Sequence, residues 1–259
     1  MKNKDFSFLH DISDDDRILL SRVLDWTSMA EEKYVTKFSS FLDERQCSLC
    51  RQVLESEKYE NYAFWGGYDT AERQILCVYA PYSDVKREDF PLKAITYSYR
   101  NADKLSHRDF LGSLMALQIT RDCVGDIIVG EGQSCAFVRD TVADEALGIS
   151  KIGRVGVKSS LGFEKQMIPK HEFREISGTV ASMRTDCIVS MALRVSREKA
   201  AALIKNSSVE VNCAHCDSVK YLLKPGDKFS VRGYGKFLFK SADGMTKKDR
   251  VHITICKYI

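Results

Sequence analysis

Along the first ninety residues the apolar positions alternate between helical and strand-like spacing. Ser13 and the acids Asp14, Asp15 and Asp16 precede Ile18, Leu19, Leu20, Val23 and Leu24. A serine cap followed by acids suits the positive end of a helix dipole, so a helix is predicted as far as about Ala30. Helical spacing recurs over Tyr34–Leu42, and again from Asp43 to about Lys58 with Leu49, Val53 and Leu54 on one face. The opening region is therefore read as mainly helical. Gly66-Gly67 breaks the pattern, and Gln74–Tyr79 has the β-branched and aromatic content of a buried strand. Pro81 and Pro91 bracket an expected linker.

From Leu92 the predicted elements are strand Leu92–Tyr99, helix Ser106–Gln118, strand Asp126–Val129, strand Ser134–Val138, helix Asp140–Leu147 and strand Ile152–Val157. This β-α-β-β-α-β order is the split βαβ plan, shared by many RNA-recognition modules and by many unrelated proteins. The Lys/Arg-Gly-aromatic run typical of RNA-recognition strands is missing; only Ala136-Phe137-Val138 is faintly similar. Further on, one helix is predicted to open at Ser182-Met-Arg184-Thr-Asp186. A second is capped by Ser196 and carries Arg197, Lys199 and Lys205. Val209–Asn212 and the run from Leu223 to Gly233, with its Pro225-Gly226-Asp227 turn, then read as strands and turns.

Charge sharpens this division. Of the 259 residues, the first 150 carry 18 Lys and Arg against 26 Asp and Glu, net −8, whereas residues 151–259 carry 21 against 10, net +11. A basic half on an acidic chain fits a polyanionic partner, nucleic acid before an anionic membrane surface. No apolar run is long enough for a signal peptide or a membrane span, so a cytoplasmic location is expected. Nine cysteines, an odd number without a secretion signal, are expected to stay reduced.

Several motifs carry less than they first suggest. His107-Arg108-Asp109 matches the start of a kinase catalytic loop, but Leu114 stands where the magnesium-binding Asn belongs and no Gly-rich loop accompanies it. Ser106 and Asp109 read instead as a capping box, leaving His107 and Arg108 to meet phosphate. Gly130-Glu131-Gly132 lacks the third glycine of a dinucleotide fingerprint, with Cys135 in its place, and reads as a hairpin turn. Cys47-x-x-Cys50 and Cys213-x-x-Cys216 would have to meet across more than 160 residues to hold zinc, so no metal or cofactor is expected.

The last third resembles the RNA-binding domain named after small-subunit ribosomal protein S-four. The resemblance rests on Ser182-x-Arg184-x-Asp186, Ser196-Arg197-x-x-Ala200, Leu203-Ile204, Val209-x-Val211-Asn212 and Gly226-Asp227-x-x-x-Val231. That family pairs two helices into an L-shaped surface for structured RNA. This chain departs from it at Thr185, where Leu is usual, and at Ser208 and Cys213, where Gly is usual. Phe64–Tyr68, Ala71-Glu72-Arg73, Leu105–Gly112, Gly125–Val129 and Ile152–Val157 extend the resemblance to the bacterial YlmH-type proteins over about residues 40–240. That family implies ribosomal RNA of the large subunit and peptidyl-tRNA as partners, with genes lying near division genes.

The expected fold is α+β: a mainly helical domain over 1–85, a central βαββαβ domain over 91–165, an S-four-type domain over 174–240 and an extension over 241–259. The expected function is a monomeric, non-catalytic RNA-binding protein contacting RNA through Ser182, Arg184, Ser196, Arg197, Lys199, Lys205, Arg232, His107, Arg108 and Arg154. An RNA-modifying enzyme that docks through the S-four-type domain and a division-linked interaction protein are the alternatives.

Overall fold

The computed structural model describes residues 6–9, 12–167, 173–245 and 250–258. The charged opening residues 1–5, the junction 168–172 and residues 246–249 and 259 of the expected extension lie outside them. The chain forms two compact units, residues 1–169 and 170–259.

In the first unit, helix α1 (Asp14–Lys33) begins at a capping box in which Ser13 Oγ accepts from the Asp16 N–H at 3.1 Å and Asp16 accepts from the Ser13 N–H at 2.8 Å. Tyr34, at φ +55°, ends it in the left-handed conformation. Strand β1 (Lys37–Leu42) follows, then α2 (Glu44–Ser56), β2 (Tyr62–Trp65) and β3 (Gln74–Val78). They form an antiparallel sheet of order β1-β3-β2.

The expected helix over Tyr34–Leu42 is corrected to strand β1. Its register against β3 shifts between Phe38↔Cys77 and Phe41↔Ile75. This irregularity lets rings three residues apart join one apolar cluster, so a strand carries the i, i+3 spacing of a helix.

After Ala80 the expected linker packs down: Val85 and Phe90 join a cluster with Phe41, Ile75, Ile128 and Phe137. Then come β4 (Leu92–Ser98), α3 (His107–Ala116), β5 (Val124–Val129), β6 (Gln133–Arg139), α4 (Ala143–Leu147), β7 (Lys151–Ile152), β8 (Val155–Gly156) and β9 (Lys158–Leu161). Their antiparallel sheet has the order β5-β6-β4-β9.

The last strand of that sheet is Lys158–Leu161, not the expected Ile152–Val157. Ile152 and Val155 instead face each other across a two-residue turn in a small hairpin, with Gly153 at φ +56°. The unit is thus four-layered: α1 and α2, the first sheet, the second sheet, then α3 and α4.

The two sheets lock together at Asp126. Its carboxylate accepts from the Tyr68 hydroxyl at 2.7 Å, the Glu72 N–H at 2.7 Å and the Arg73 N–H at 3.1 Å. The Arg73 guanidinium donates to the carbonyls of Val124, Phe41 and Arg121 at 2.9, 3.1 and 3.3 Å. Two glycines make room for this approach. A Cβ on Gly67, already at φ +102°, would lie 2.3 Å from the Phe137 ring, and one on Gly125 would lie 2.6 Å from the Phe41 ring.

In the second unit β10 (Phe173–Val180) is followed by α5 (Thr185–Leu193), α6 (Arg197–Lys205), β11 (Val209–Val211), β12 (Ala214–His215), β13 (Lys228–Val231), β14 (Gly235–Met245) and β15 (Val251–Tyr258). The antiparallel sheet runs β10-β15-β14-β13-β11-β12, so residues 251–258 lie inside it between β10 and β14. Val189, Ala192, Ala200 and Ile204 of the helices share a core with Phe229, Val231, Phe237, Phe239, Ile253 and Ile255 of the strands.

Helix α6 ends in a Schellman arrangement with Ser207 left-handed at φ +50°, Ser208 N–H reaching Leu203 O at 3.0 Å and Ser207 N–H reaching Ile204 O at 3.1 Å. The turn from β11 to β12 places Asn212 and Cys213 at φ +49° and +66°. Asn212 suits that region and is held by Asp227 at 2.9 Å, whereas Cys213 carries a Cβ where glycine costs nothing.

Replacing Cys213→Gly is expected to stabilise the second unit by about 0.5–1 kcal/mol, with relief of left-handed strain partly offset by the freer unfolded chain; urea unfolding measures it. Asp126→Ala strands two part-buried donors, the Tyr68 hydroxyl and the Arg73 N–H, at about 1–3 kcal/mol each, so a loss of at least about 2 kcal/mol is expected in the first unit, read by hydrogen exchange in β3, β5 and β6.

Candidate nucleic-acid interface

Helices α5 and α6 bring together the basic residues singled out in the second unit. Arg184 stands at the N-cap position of α5, and Ser196 caps α6, its Oγ accepting from the Lys199 N–H at 3.2 Å. Between them Asp186 is nearly buried, its side chain 7% exposed. Arg184 donates Nε and one terminal nitrogen to the two Asp186 oxygens at 3.0 and 3.1 Å, and Arg197 reaches Oδ2 at 2.7 Å. Burial alone would raise the Asp186 carboxyl, but the hydrogen bonds from Arg197 and Arg184 outweigh it and hold the group below the ordinary carboxylate value.

One carboxylate therefore fixes two guanidiniums across the helix pair. Their side chains remain 32% and 57% exposed, so the clamp orients them without removing them from solvent. The segment before β13 braces this corner: the Thr185 N–H donates to Tyr221 O at 2.9 Å and the Leu223 N–H to Met183 O at 3.0 Å. Lys199 is exposed in the first turn of α6, two residues after Arg197 and so on a different side of the helix.

The other residues named for this unit are more dispersed. Ser182 is half-buried, with Oγ 3.5 Å from Cys187 Sγ. Lys205 lies in the last turn of α6, about 12 Å along the axis from Arg197. Arg232 is exposed in the β13–β14 turn, its N–H donating to Ser208 O. Arg194, exposed at φ +54° in the turn between the two helices, is a further cation of this corner that is not among the predicted residues. Its signal was its place two residues before the capping Ser196, in a turn too short to carry it away from the corner.

In the first unit His107 and Arg108 are exposed in the first turn of α3, where Asp109 accepts from the Ser106 N–H at 2.8 Å and Oγ at 2.6 Å. Those bonds hold the Asp109 carboxyl below its ordinary value. Arg154 is exposed at the turn of the β7–β8 hairpin, which leans on α3 through a Gly153 N–H to Ser113 Oγ bond of 3.4 Å. The three predicted residues of this unit thus lie on two elements in contact.

The sheet offers no such surface on its other face. Phe137, in the run faintly similar to an RNA-recognition strand, is 1% exposed. Its ring centroid lies 5.3 Å from Tyr68 and 5.1 Å from Phe163. It packs between layers and cannot stack on a base.

Three of the four cysteines in the two C-x-x-C pairs, Cys47, Cys50 and Cys216, are buried. Burial pushes the Cys47 thiol up to about 12 and the Cys50 thiol higher still, and it also raises Cys216. Among the described residues no cluster of three or more His, Cys, Asp or Glu is placed to hold a metal ion. No described helix is long and apolar enough to cross a membrane.

Three similarities relate the chain to known proteins. Residues 86–162 match the family model described as "Putative RNA-binding domain in YlmH". The chain is 31% identical over 245 residues to the ribosome-associated protein quality control protein P2 of Bacillus subtilis, covering 93% of this chain and 94% of that one. A solved structure, the cell division protein ylmH from Streptococcus pneumoniae, is similar in fold at a TM-score of 0.50 and 23% identity, over 60% of this chain and 95% of that one. With a relative of this identity along nearly its whole length, the chain belongs to the YlmH-type family.

Proposed function

We propose that this protein is a non-catalytic RNA-binding factor of the cytoplasm that docks as a monomer on ribosomal RNA of the large subunit, and that it acts in translation quality control on stalled subunits carrying peptidyl-tRNA. The observation that carries the reading is the Asp186 clamp, which presents Arg184 and Arg197 from one helix corner, with Arg194 exposed in the turn between the helices and Lys199 exposed on another side of the first turn of α6. Guanidiniums held in a fixed fork suit phosphate oxygens, and a surface of this kind recognises structured RNA by backbone and shape. The net charge of +11 over residues 151–259 supplies the long-range attraction.

The helix pair followed by short strands also supports assigning the second unit to the S-four type, and the β5-β6-β4-β9 order supports a split βαβ plan for residues 91–165. The Bacillus subtilis relative is named for ribosome association and quality control; the RNA site and the tRNA contact belong to this proposal.

The clamp separates two kinds of basic residue experimentally. Lys199→Gln removes an exposed charge, so large-subunit binding is expected to weaken and its log–log salt slope to flatten by about 1, with the unfolding midpoint unchanged. Unchanged co-sedimentation and slope would remove this surface from the account. Asp186→Asn is expected to cost about 1–2 kcal/mol of stability and to weaken RNA binding although it removes a negative charge, because both arginines lose their position. Because the folded-state carboxyl is lowered, its contribution is present above the unfolded value of about 3.9 and is lost as pH falls through the lower folded value; urea unfolding below about pH 4 reads that loss, which the Asn variant lacks.

A further inference from the structure

All 15 glycines of the chain fall within the described residues, and in most the reason for a missing side chain is visible. Gly66, Gly67, Gly125, Gly130 and Gly132 would clash, and Gly153, Gly162, Gly226, Gly233, Gly235 and Gly244 hold a left-handed φ. Gly178 faces Met191 at 3.0 Å and Gly148 caps the end of α4. Only Gly112 and Gly156 have open space around the missing Cβ together with an ordinary φ.

Those two lie on elements that touch each other. Gly112 is in the middle of the exposed side of α3, one turn after Arg108. Gly156 pairs with exposed Lys151 in the hairpin, on the side opposite buried Ile152. Glycine inside an exposed helix weakens it, and the fold gains nothing visible in return. Bare backbone on two elements that also carry exposed His107, Arg108, Lys151 and Arg154, with the Asp109 carboxylate between them engaged by Ser106, is suited to close approach by something anionic.

Resting on the RNA-binding reading above, we propose that the outer face of α3 and the β7–β8 hairpin form a second docking surface, and that its occupant is the backbone of double-helical RNA. Charge complementarity selects the polyanion. Double-helical RNA is favoured over single strands because the aromatic ring that could serve as a stacking platform on this sheet, Phe137, is sealed between layers. At Gly112 the phosphodiester chain lies against the helix itself, close enough that a methyl group intrudes, while Arg108 and Arg154 flank the phosphates.

The test uses the full chain with two probes, an RNA hairpin with a fully paired stem and an unpaired RNA of equal length, together with thermal unfolding. Gly112→Ala is expected to raise the unfolding midpoint of the first unit by about 2–4 °C through helix propensity. The same substitution is expected to weaken hairpin binding about tenfold, the loss of roughly one charge-assisted phosphate contact. Gly156→Ala is expected to weaken it in the same direction, and wild-type protein to prefer the hairpin.

Hairpin affinity unchanged in both variants while the midpoint of Gly112→Ala rises would overturn the proposal. So would a preference for the unpaired strand, or a defect confined to a protein partner with hairpin binding intact. Failure of the parent reading is distinguishable, because it appears as wild-type protein that binds neither RNA nor large subunits.

Discussion

The Asp126 carboxylate, by accepting from the Tyr68 hydroxyl and two successive N–H groups, draws the loop after β2 onto β5, and the first unit is organised around that contact. Arg73, fixed by the same loop, reaches three carbonyls that would otherwise face each other across the gap between sheets. Burial pulls its guanidinium down from its ordinary value, while three carbonyl hydrogen bonds and the nearby Asp43 and Asp126 carboxylates favour the charge there. The layers can close only because Gly67 and Gly125 leave space for the rings of Phe137 and Phe41.

That closure has a functional consequence. A split βαβ sheet commonly presents an open face on which aromatic rings stack against bases. Here the first sheet covers that face, so any RNA contact of residues 91–161 falls to its helices and hairpin, where the cations are. The second unit follows a parallel logic with a second carboxylate: Asp186 aims two arginines outward as Asp126 holds one arginine inward. The two acids thus leave Arg73 enclosed between layers and Arg184 and Arg197 part-exposed at a helix corner.

Much of this was legible locally. The boxes at Ser13 and Asp16 and at Ser106 and Asp109 mark helix starts because cap and partner are three residues apart in sequence and in space. The spacing of Arg184, Asp186, Ser196 and Arg197 pointed to the basic corner, although the clamp itself depends on how two helices meet. Strand β1 was hidden because a register irregularity gave its phenylalanines helical spacing. The burial of Phe137 was invisible for a different reason: it depends on Gly67, seventy residues earlier, and no local pattern links them. Gly112 was visible as a residue but not as an anomaly until its surroundings were known to be empty.

The most direct test of RNA docking through these surfaces is ultraviolet crosslinking of the protein to large ribosomal subunits, with the crosslinked peptides identified by mass spectrometry. The account predicts crosslinks in the α5–α6 corner from Arg184 to Lys199 and along α3 and the β7–β8 hairpin, with none at Phe137. Crosslinks at Phe137 together with silence at the α5–α6 corner would contradict it.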